Sequence, residues 1–402
     1  MPRTAFIVRV ARTATGKNKG ALSHHHPAVL GAMVVDGLVD RVGNFDPALV
    51  DDVIWGCVSQ VGTQSANLGR NVVLSSKLPI SVPGTTVDRQ CGSSQQAIHF
   101  AAQAVMSGTQ DIVIAGGCES MTTLPIGANI GKGMGQPNSA VVQDKFGKAG
   151  FYSQFTGAEL VASKYGIDRA AMDEFAAASH AKATVAREEG RFDGEIVIVE
   201  GRNKEGAAIE HGHDEGVRTG TTVEKLGALD TLVKLGVCPP PADCPGGRIT
   251  AGNASQVSDG SAAILICNEE GLKKLGHHVE PLAMVHTLAL AGDDPITMLD
   301  APIPASRKAL ARAGLTIADI DLYEVNEAFA CVPLAWQKAL GADLEKLNVN
   351  GGACALGHPL GGTGAKLMTT LVSEMVRRQA RFGLQAICEG GGTANAMIVE
   401  RC

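Results

Sequence analysis

Apolar residues recur along this chain with two periods, and the switches between them set the expected elements. Residues 5–10 form a short apolar run of strand length, and residues 27–42 follow with Leu30, Met33, Val34 and Leu38 on one helical face. The opening is strand, then helix. Asp52 leads into Val53-Ile54-Trp55-Gly56-Cys57, a buried strand, and residues 67–77 make a second amphipathic helix. Residues 95–106 place Ala97, Ala101, Ala104 and Val105 at helical spacing, with Ser93 or Ser94 as the expected N-cap and Gly108 as the stop. Residues 111–115 are a strand expected to end at Gly116-Gly117. Strands alternating with helices predict parallel pairing, with helices over both faces of the sheet.

From about Met121 the pattern breaks. Pro125, Gly127, Gly131, Gly133, Gly135 and Pro137 precede helical patterns at 158–165 and 169–189. Charged runs at 202–205 and 210–218 follow, then Cys238-Pro239-Pro240-Pro241 and Pro245-Gly246-Gly247, whose prolines read as a linker. Residues 121–247 are therefore expected to form an inserted domain. Strand texture returns over 249–255 and 262–267, and a second half begins after a connector at 276–281. There the pattern repeats: Asp321-Leu322-Tyr323-Glu324-Val325 resembles Asp52-Val53-Ile54-Trp55-Gly56. A helix over 363–378, apolar at Ala365, Met368, Leu371, Val372 and Met375, leads to Gln385-Ala386-Ile387-Cys388 and then Gly390-Gly391-Gly392. The expected fold is α/β, with two similar βαβαβ-type lobes, residues 1–120 plus 248–278 and residues 279–402. A pseudo-twofold between them would bring their loops face to face.

Composition narrows the function classes. A chain of 402 residues exceeds one ordinary domain, so core size does not limit stability. Hydrophobic residues at 45%, charged at 19% and 49 glycines describe a globular α/β chain with many tight loops. Aromatic content of 4% and a net charge of -6 offer neither a stacking platform nor a basic footprint for nucleic acid. An anionic ligand must then be met by local cations and backbone amides. Ten cysteines without a framework, in a chain that opens Met1-Pro2-Arg3 with no apolar signal core, predict reduced thiols and a cytoplasmic location. No apolar run approaches membrane-spanning length, and Val399-Glu400-Arg401-Cys402 matches no targeting or lipidation tail.

Candidate chemistry starts at Val87-Asp88-Arg89-Gln90-Cys91-Gly92-Ser93-Ser94. Cys91 sits at a helix N-terminus, where free amides and the helix dipole favour thiolate, and Gly92 leaves room for a carbonyl. A lone cysteine there is more often core packing. The second half changes the odds with Asn326-Glu327-Ala328-Phe329, Gly357-His358-Pro359 and Cys388-Glu389-Gly390, each at a strand end or before a helix. Further segments join them in order: Arg12-Thr13 with Gly16-Lys17, Asp214-Glu215-Gly216-Val217-Arg218, Thr250-Ala251-Gly252-Asn253-Ala254-Ser255, and Asn350-Gly351-Gly352. This ordered set, over nearly the whole chain, resembles the thiolase superfamily. The resemblance implies a thiolase-like fold with a five-layered α-β-α-β-α core, a homodimer or homotetramer, and coenzyme A and acyl-CoA as substrates. It implies no metal and no permanently bound cofactor.

Residue by residue, the resemblance makes Cys91 the nucleophile that takes an acyl group from a CoA thioester and His358 the base that takes its proton. Cys388 becomes the second acid/base, acting at the α-carbon of the other acyl group. One oxyanion hole comes from His358 with a water held by Asn326, the other from the backbone N–H groups of Cys91 and Gly390. Glu327 supports the Asn326 loop. Arg218 and Lys225 are implied at the nucleotide end of CoA, Ser255 at the pantetheine and Phe329 at the substrate. The implied activity is that of a 3-ketoacyl-CoA thiolase, cleaving a 3-ketoacyl-CoA with CoA to acetyl-CoA and a shortened chain.

One stretch departs from part of the family. Short-chain members carry His-Met-Gly before Thr-Ala-Glu, where this chain has Tyr152-Ser153-Gln154-Phe155-Thr156-Gly157-Ala158-Glu159. The departure points to a long or bulky acyl chain, such as a sterol side chain, over the alternative of a biosynthetic acetyl-CoA C-acetyltransferase making acetoacetyl-CoA. A non-catalytic CoA-binding protein would lack a catalytic group, and none is missing. A condensing enzyme on acyl carrier protein would use two histidines where this chain has Asn326 and Cys388.

Other motifs fall away. Gly357, Gly361, Gly362, Gly364 and Lys366 lack the Gly-Lys-Ser/Thr ending of a phosphate loop. His24-His25-His26, His211 with His213, and His277-His278 stand at no zinc spacing from the cysteines and read as solvated loop histidines. Cys238 and Cys244 are too far apart for a Cys-x-x-Cys pair, and Cys57, Cys118, Cys331 and Cys354 read as packing residues.

Overall fold

The computed structural model describes residues 3–130, 135, 137–147 and 153–402; Gly131, Gly133 and Tyr152 lie outside them. The first half contains β1 (Phe6–Thr13), β2 (Gly16–Lys17), α1 (Pro27–Val42), β3 (Asp52–Gly56), α2 (Leu68–Ser75), β4 (Gly84–Val87), α3 (Ser93–Ser107) and β5 (Ile112–Ser120). Between β5 and the next long strand come α4 (Ala140–Phe146), α5 (Gln154–Tyr165), α6 (Arg169–Glu188), β6 (Ile196–Val197), β7 (Val199–Arg202), β8 (Ala208–His211) and α7 (Val223–Gly227). Then β9 (Ser258–Cys267), α8 (Glu269–Leu275), β10 (Ala283–Gly292), α9 (Pro302–Ala313), β11 (Leu322–Val325) and α10 (Cys331–Leu340) lead to α11 (Ala353–Leu356). The chain closes with α12 (Thr363–Arg378), β12 (Phe382–Glu389) and β13 (Thr393–Arg401).

The strands form one path, β11-β12-β13-β10-β1-β9-β5-β3-β4, with β2 on β9 and β6 on β1. It is two half-sheets joined at β1 and β10, where Phe6 pairs Met284 and Ile7 pairs Ala283. The expectation of parallel pairing holds for only part of each half. β3 runs parallel to β4 and β5, and β11 parallel to β12, but β9 and β13 are antiparallel to both neighbours. The cause is connection. Gly390, Gly391 and Gly392 join β12 to β13 as a hairpin, which forces antiparallel pairing, and the long excursion between β5 and β9 is no right-handed crossover.

Layering follows from which face each strand residue presents. Ile98, Ala101 and Val105 of α3 and Met368, Leu371 and Met375 of α12 share one core with Ile7, Val113 and Ile264 from one half-sheet and Leu322, Met397 and Val399 from the other. These two helices are the central layer. On one outer side Val34, Leu38 and Val72 pack on Val53, Trp55 and Ile114; on the other, Ile303, Ala309 and Trp336 pack on Tyr323, Val325 and Leu384. The result is α-β-α-β-α.

The internal repeat is present one residue away from where the sequence places it. Asp51 accepts hydrogen bonds from the Asp111 and Ile112 amides at the start of β5, and Asp321 accepts from the Arg381 and Phe382 amides at the start of β12. Asp321 thus matches Asp51, not Asp52. A one-residue slip exchanges the two faces of a strand, and the corrected register puts Val53 and Tyr323 both against outer helices. Nor does β5 stop at Gly116-Gly117. A side chain at Gly116 would meet the Trp55 ring at 2.5 Å, and one at Gly117 would meet the Gly361 carbonyl at 2.2 Å, so the strand runs on through glycines that close packing demands. Residues 249–255 are a loop instead of a strand, carrying isolated bridges from Thr250 to Thr231 and from Ala254 to Phe329.

Helices α5 and α6 of the excursion pack on the second half: Ala158, Val161, Met172 and Ala176 share a core with Phe329, Val332, Ala335 and Cys388. Arg12 of β1 anchors the excursion to the first half, donating to Glu195 at 2.6 Å and to both Asp214 oxygens at 2.9 and 3.1 Å, with all three side chains buried. Among the described residues no helix is long and apolar enough to cross a membrane.

Candidate active site

Cys91 follows β4 and precedes Gly92, the N-cap residue of α3. The expected serine caps do other work. Ser93 Oγ accepts from the Arg89 amide and donates to the Gln90 carbonyl at 2.6 Å, bracing a turn in which Gln90 adopts φ 49°; Ser94 Oγ accepts from the Ala365 amide of α12. Cys91 is 4% exposed and packs with Val58, Met121, Leu360, Leu367 and Ile387. Burial first, and then the Glu389 carboxyl, push its thiol up to about 12. The expectation that the helix end favours thiolate is therefore overturned at rest: desolvation outweighs the dipole, and Cys91 rests as a thiol.

His358 is buried at the end of the loop after α11, and both ring nitrogens have partners. Nδ1 lies 2.6 Å from Thr363 Oγ1, which donates its only proton to the Pro359 carbonyl at 3.1 Å. Thr363 must then accept from Nδ1–H, which leaves Nε2 unprotonated and able to act as a base. Asn326 Nδ2 stands 3.4 Å from that Nε2. Burial first, then the Lys366 charge, lower the imidazole to about 3, so it is neutral. Lys366 is itself buried, is lowered to about 8 by burial and then by Arg12, and reaches the Gly357 carbonyl at 3.4 Å. A neutral thiol and a neutral imidazole are the starting pair. Sequence reading passed over Thr363 and Lys366 as site residues, although Thr363 opens a helix five positions after His358 and could have been sought there.

Asn326 ends the second half-sheet, its amide donating to the Ala386 carbonyl, and its Oδ1 is buried without a protein partner among the described residues. Beneath it Glu327 accepts from Ser179 Oγ at 2.7 Å, Asn348 Nδ2 at 2.9 Å and the Cys354 amide at 3.0 Å, which fits the supporting role expected of it. Cys388 is the last residue but one of β12, 1% exposed, in one apolar cluster with Phe329, Ala328, Cys331 and Cys354. Burial first, and then nearby Cys91, raise its thiol well above the usual range. Glu389 and then Gly390 follow it, Gly390 in the turn whose Gly391 and Gly392 take φ 83° and 78°.

A cavity of about 1120 Å³ opens onto His358. Its apolar wall includes Met121, Phe155, Leu232, Val237, Phe329 and Leu360, and its polar part Lys17, Asn18, Glu215, Arg218, Ser255 and Gln256. Phe155 meets Phe329 edge to face, centroids 5.7 Å apart. Main-chain bonds fix this wall: the Ser255 amide donates to Ala328 and the Ala330 amide to Asn253, each at 2.9 Å. Of the expected binding residues, Arg218, Ser255 and Phe329 line the cavity and Lys225 does not; its Nζ donates to the Gly220 carbonyl at 2.7 Å. Lys17, Asn18 and Gln256 line it as well, brought together from segments far apart in sequence, 17–18 and 256.

The remaining candidates resolve simply. All ten cysteines are free. His211 is no solvated loop residue; it is buried, with Nε2 3.1 Å from the Ala14 carbonyl, because β8 folds back against the first strand's end. His26 caps α1 by accepting from the Ala28 amide. Among the described residues no group of three or more His, Cys, Asp or Glu is placed to hold a metal ion.

Comparison with known proteins places these features. Residues 5–270 match the family model of the thiolase N-terminal domain and residues 279–401 that of the thiolase C-terminal domain. The chain is 46% identical over 406 residues to the steroid 3-ketoacyl-CoA thiolase FadA6 of Mycobacterium tuberculosis, covering 99% of this chain and 94% of that protein. It is 41% identical to the 3-ketoacyl-CoA thiolase of Saccharophagus degradans, covering 100% and 99%. The crystal structure of human mitochondrial 3-ketoacyl-CoA thiolase superposes with a TM-score of 0.86 at 34% identity, covering 100% of this chain and 99% of that one.

Proposed function

The chain belongs to the thiolase family of acyltransferase enzymes, and from that premise we propose that it cleaves bulky 3-ketoacyl-CoA thioesters, ring-bearing side chains of the sterol kind among them. The observation that carries the substrate reading is the apolar wall of the cavity of about 1120 Å³: Phe155, Leu232, Val237 and Phe329 offer contact to a bulky apolar acyl chain, while the polar part is left to CoA. Phe155 stands in the very stretch where short-chain relatives have a polar histidine.

In the proposed reaction His358 Nε2 takes the Cys91 proton as sulfur attacks the ketone carbon of the substrate. The carbon-carbon bond breaks, Cys388 delivers a proton to the α-carbon, and acetyl-CoA leaves. The enolate oxygen is met by His358 and an Asn326-held water, and the tetrahedral oxyanion by the Cys91 and Gly390 amides. His358 passes the proton it took to the Cys388 thiolate; incoming CoA then takes the acyl group from Cys91 as its own thiol proton passes to His358 and from there to the departing Cys91 sulfur. Arg218 lies at the polar end of the cavity, suited to CoA phosphates, and Ser255 beside the expected pantetheine path. We further assign CoA handling to residues 121–247, between lobes of residues 1–120 plus 248–278 and 279–402, in a cytoplasmic homodimer or homotetramer.

Turnover on 3-ketoacyl-CoAs of graded size, with a branched and a ring-bearing member, tests the reading. The expected outcome is kcat/KM rising with acyl bulk. Strict preference for acetoacetyl-CoA sinks it and favours the acetoacetyl-CoA-forming alternative.

A further inference from the structure

The pseudo-twofold sets two carboxylates in equivalent places, and they are treated differently. β3 pairs Asp52 with Val113, β11 pairs Leu322 with Gly383, and six residues beyond each partner stand Glu119 and Glu389. Each follows a cysteine, Cys118 or Cys388, and each faces the central layer. Glu119 is saturated: it accepts from the Val58, Ser59 and Gly361 amides, each at 2.9 Å, and from Gln64 Nε2 at 2.7 Å. It ties a loop of one lobe to the loop after His358 in the other. Glu389 is not so held. Its Oε2 takes one hydroxyl, Thr393 Oγ1 at 2.6 Å, while Oε1 is buried with no partner among the described residues. That bare oxygen is pressed against the residue after Cys91: a Cβ on Gly92 would sit 1.9 Å from it.

A bare buried oxygen costs far less on a neutral carboxylic acid than on a carboxylate. The charges facing Glu389 are Arg89 and Asp88 on the Cys91 loop; from β13 come the Thr393 hydroxyl and the Asn395 amide. Of these Arg89, the hydroxyl and the amide favour the ionised form, and Asp88 opposes it. Burial outweighs them all and raises Glu389 to about 8. The charge it would acquire above that pH is the second cause, after burial, that holds the Cys91 thiol protonated.

We propose that Glu389 is a positioning residue that acts through Cys91: its carboxyl must keep its proton for Cys91 to give up its own, and loss of the Glu389 proton shuts acyl transfer down. In the step concerned the Cys91 proton passes to His358 Nε2, the sulfur-acyl bond forms, and no electron pair or proton moves through Glu389. It contributes the absence of a negative charge. This inference rests on Cys91 as the acyl acceptor.

The test compares the wild-type enzyme with Glu389→Gln, a near-isosteric side chain that cannot ionise, in two measurements from pH 6 to 10. One is iodoacetamide labelling of Cys91, read by mass mapping; the other is thiolysis. The ratio of variant to wild-type rate should rise with pH, by about fivefold between pH 8 and 9 and by about tenfold from pH 9 to 10, the change expected when one ionisation controls the wild type. Thr393→Val is a second route that leaves Glu389 in place. Removing a donor to the carboxylate should move the wild-type alkaline decline to higher pH. Flat ratios for both variants, with label on Cys91, overturn this inference alone. Label that falls on other cysteines while activity is lost overturns the assignment of Cys91 and this inference with it.

Discussion

Cys91 and Cys388 are both buried thiols held in the protonated form, yet the reaction asks different things of them. Acyl exchange between CoA and the enzyme needs a nucleophile, His358 and the oxyanion donors, but no proton moves at an α-carbon. Carbon-carbon cleavage does need that proton. Cys388→Ala should therefore lose thiolysis by about 10²- to 10⁴-fold, the usual worth of a general acid, while still exchanging acyl groups between acyl-CoA and labelled CoA. Cys91→Ala should lose both. Equal loss of both activities in a folded Cys388→Ala that still binds CoA would show that the two cysteines do not divide the work. At this scale the sequence displayed residue types and hid their environment. Asn326, His358 and the two cysteines stand in short motifs that can be read directly. The resting thiol of Cys91 cannot, because the desolvation that sets it comes from Val58, Met121, Leu360, Leu367 and Ile387, scattered over the chain. Thr363 could be sought by its place at a helix start five residues after His358, but its role shows only where the loop turns its hydroxyl back onto the ring.

Elements with strong periodicity were legible and those with ambiguous ends were not. α12 occupies Thr363–Arg378, the span its apolar spacing marks, because Ala365, Met368, Leu371, Val372 and Met375 all face the shared core. Gly116-Gly117 looks like a stop that cuts β5 short, and the Trp55 ring and the Gly361 carbonyl lying against them explain a strand that continues. The motif residues Arg12 and Asp214 gain a physical meaning at this level, which sequence alone could not supply. They form, with Glu195, a buried ion cluster that pins the excursion between β5 and β9 to β1. Arg12→Ala would leave two acidic groups buried without their counter-charge, a loss of about 3 to 5 kcal/mol by the usual worth of such a break. Denaturant unfolding of the variant should show it. A change under about 1 kcal/mol would mean that water or Lys366 replaces the guanidinium at no real cost.

For the whole molecule the two lobes cannot be treated as separate stabilities, since α3 and α12 pack in one core with strands of both half-sheets. The pseudo-repeat was readable because both halves repeat strand, helix and glycine turn; strand direction was not, because periodicity carries no sign and only the length of each connection decides it. The shared core also holds a titrating group outside the proposed chemistry. His99 of α3 is buried, with Nδ1 3.3 Å from Asn395 Nδ2 and Nε2 without a partner among the described residues, and burial first, then Arg89, lower it to about 3. The folded protein keeps this imidazole neutral, whereas the unfolded chain protonates it near roughly 6.5. Its contribution to stability is therefore complete above about 6.5 and is lost as pH falls toward the folded value, at about 1.4 kcal/mol per pH unit. Buried Glu119, Glu195 and Glu327 have raised values and act with the opposite sign, gaining protons first in the folded state, so the wild-type curve alone mixes the two. Replacement isolates the histidine. The difference in unfolding free energy, His99→Gln minus wild type, should climb by about 1.4 kcal/mol for each pH unit from 6 down to 4, because the carboxylates cancel between the two proteins. A difference independent of pH over that range would mean that His99 takes up its proton in the folded core, and that Asn395 and Gln96 rearrange to receive it.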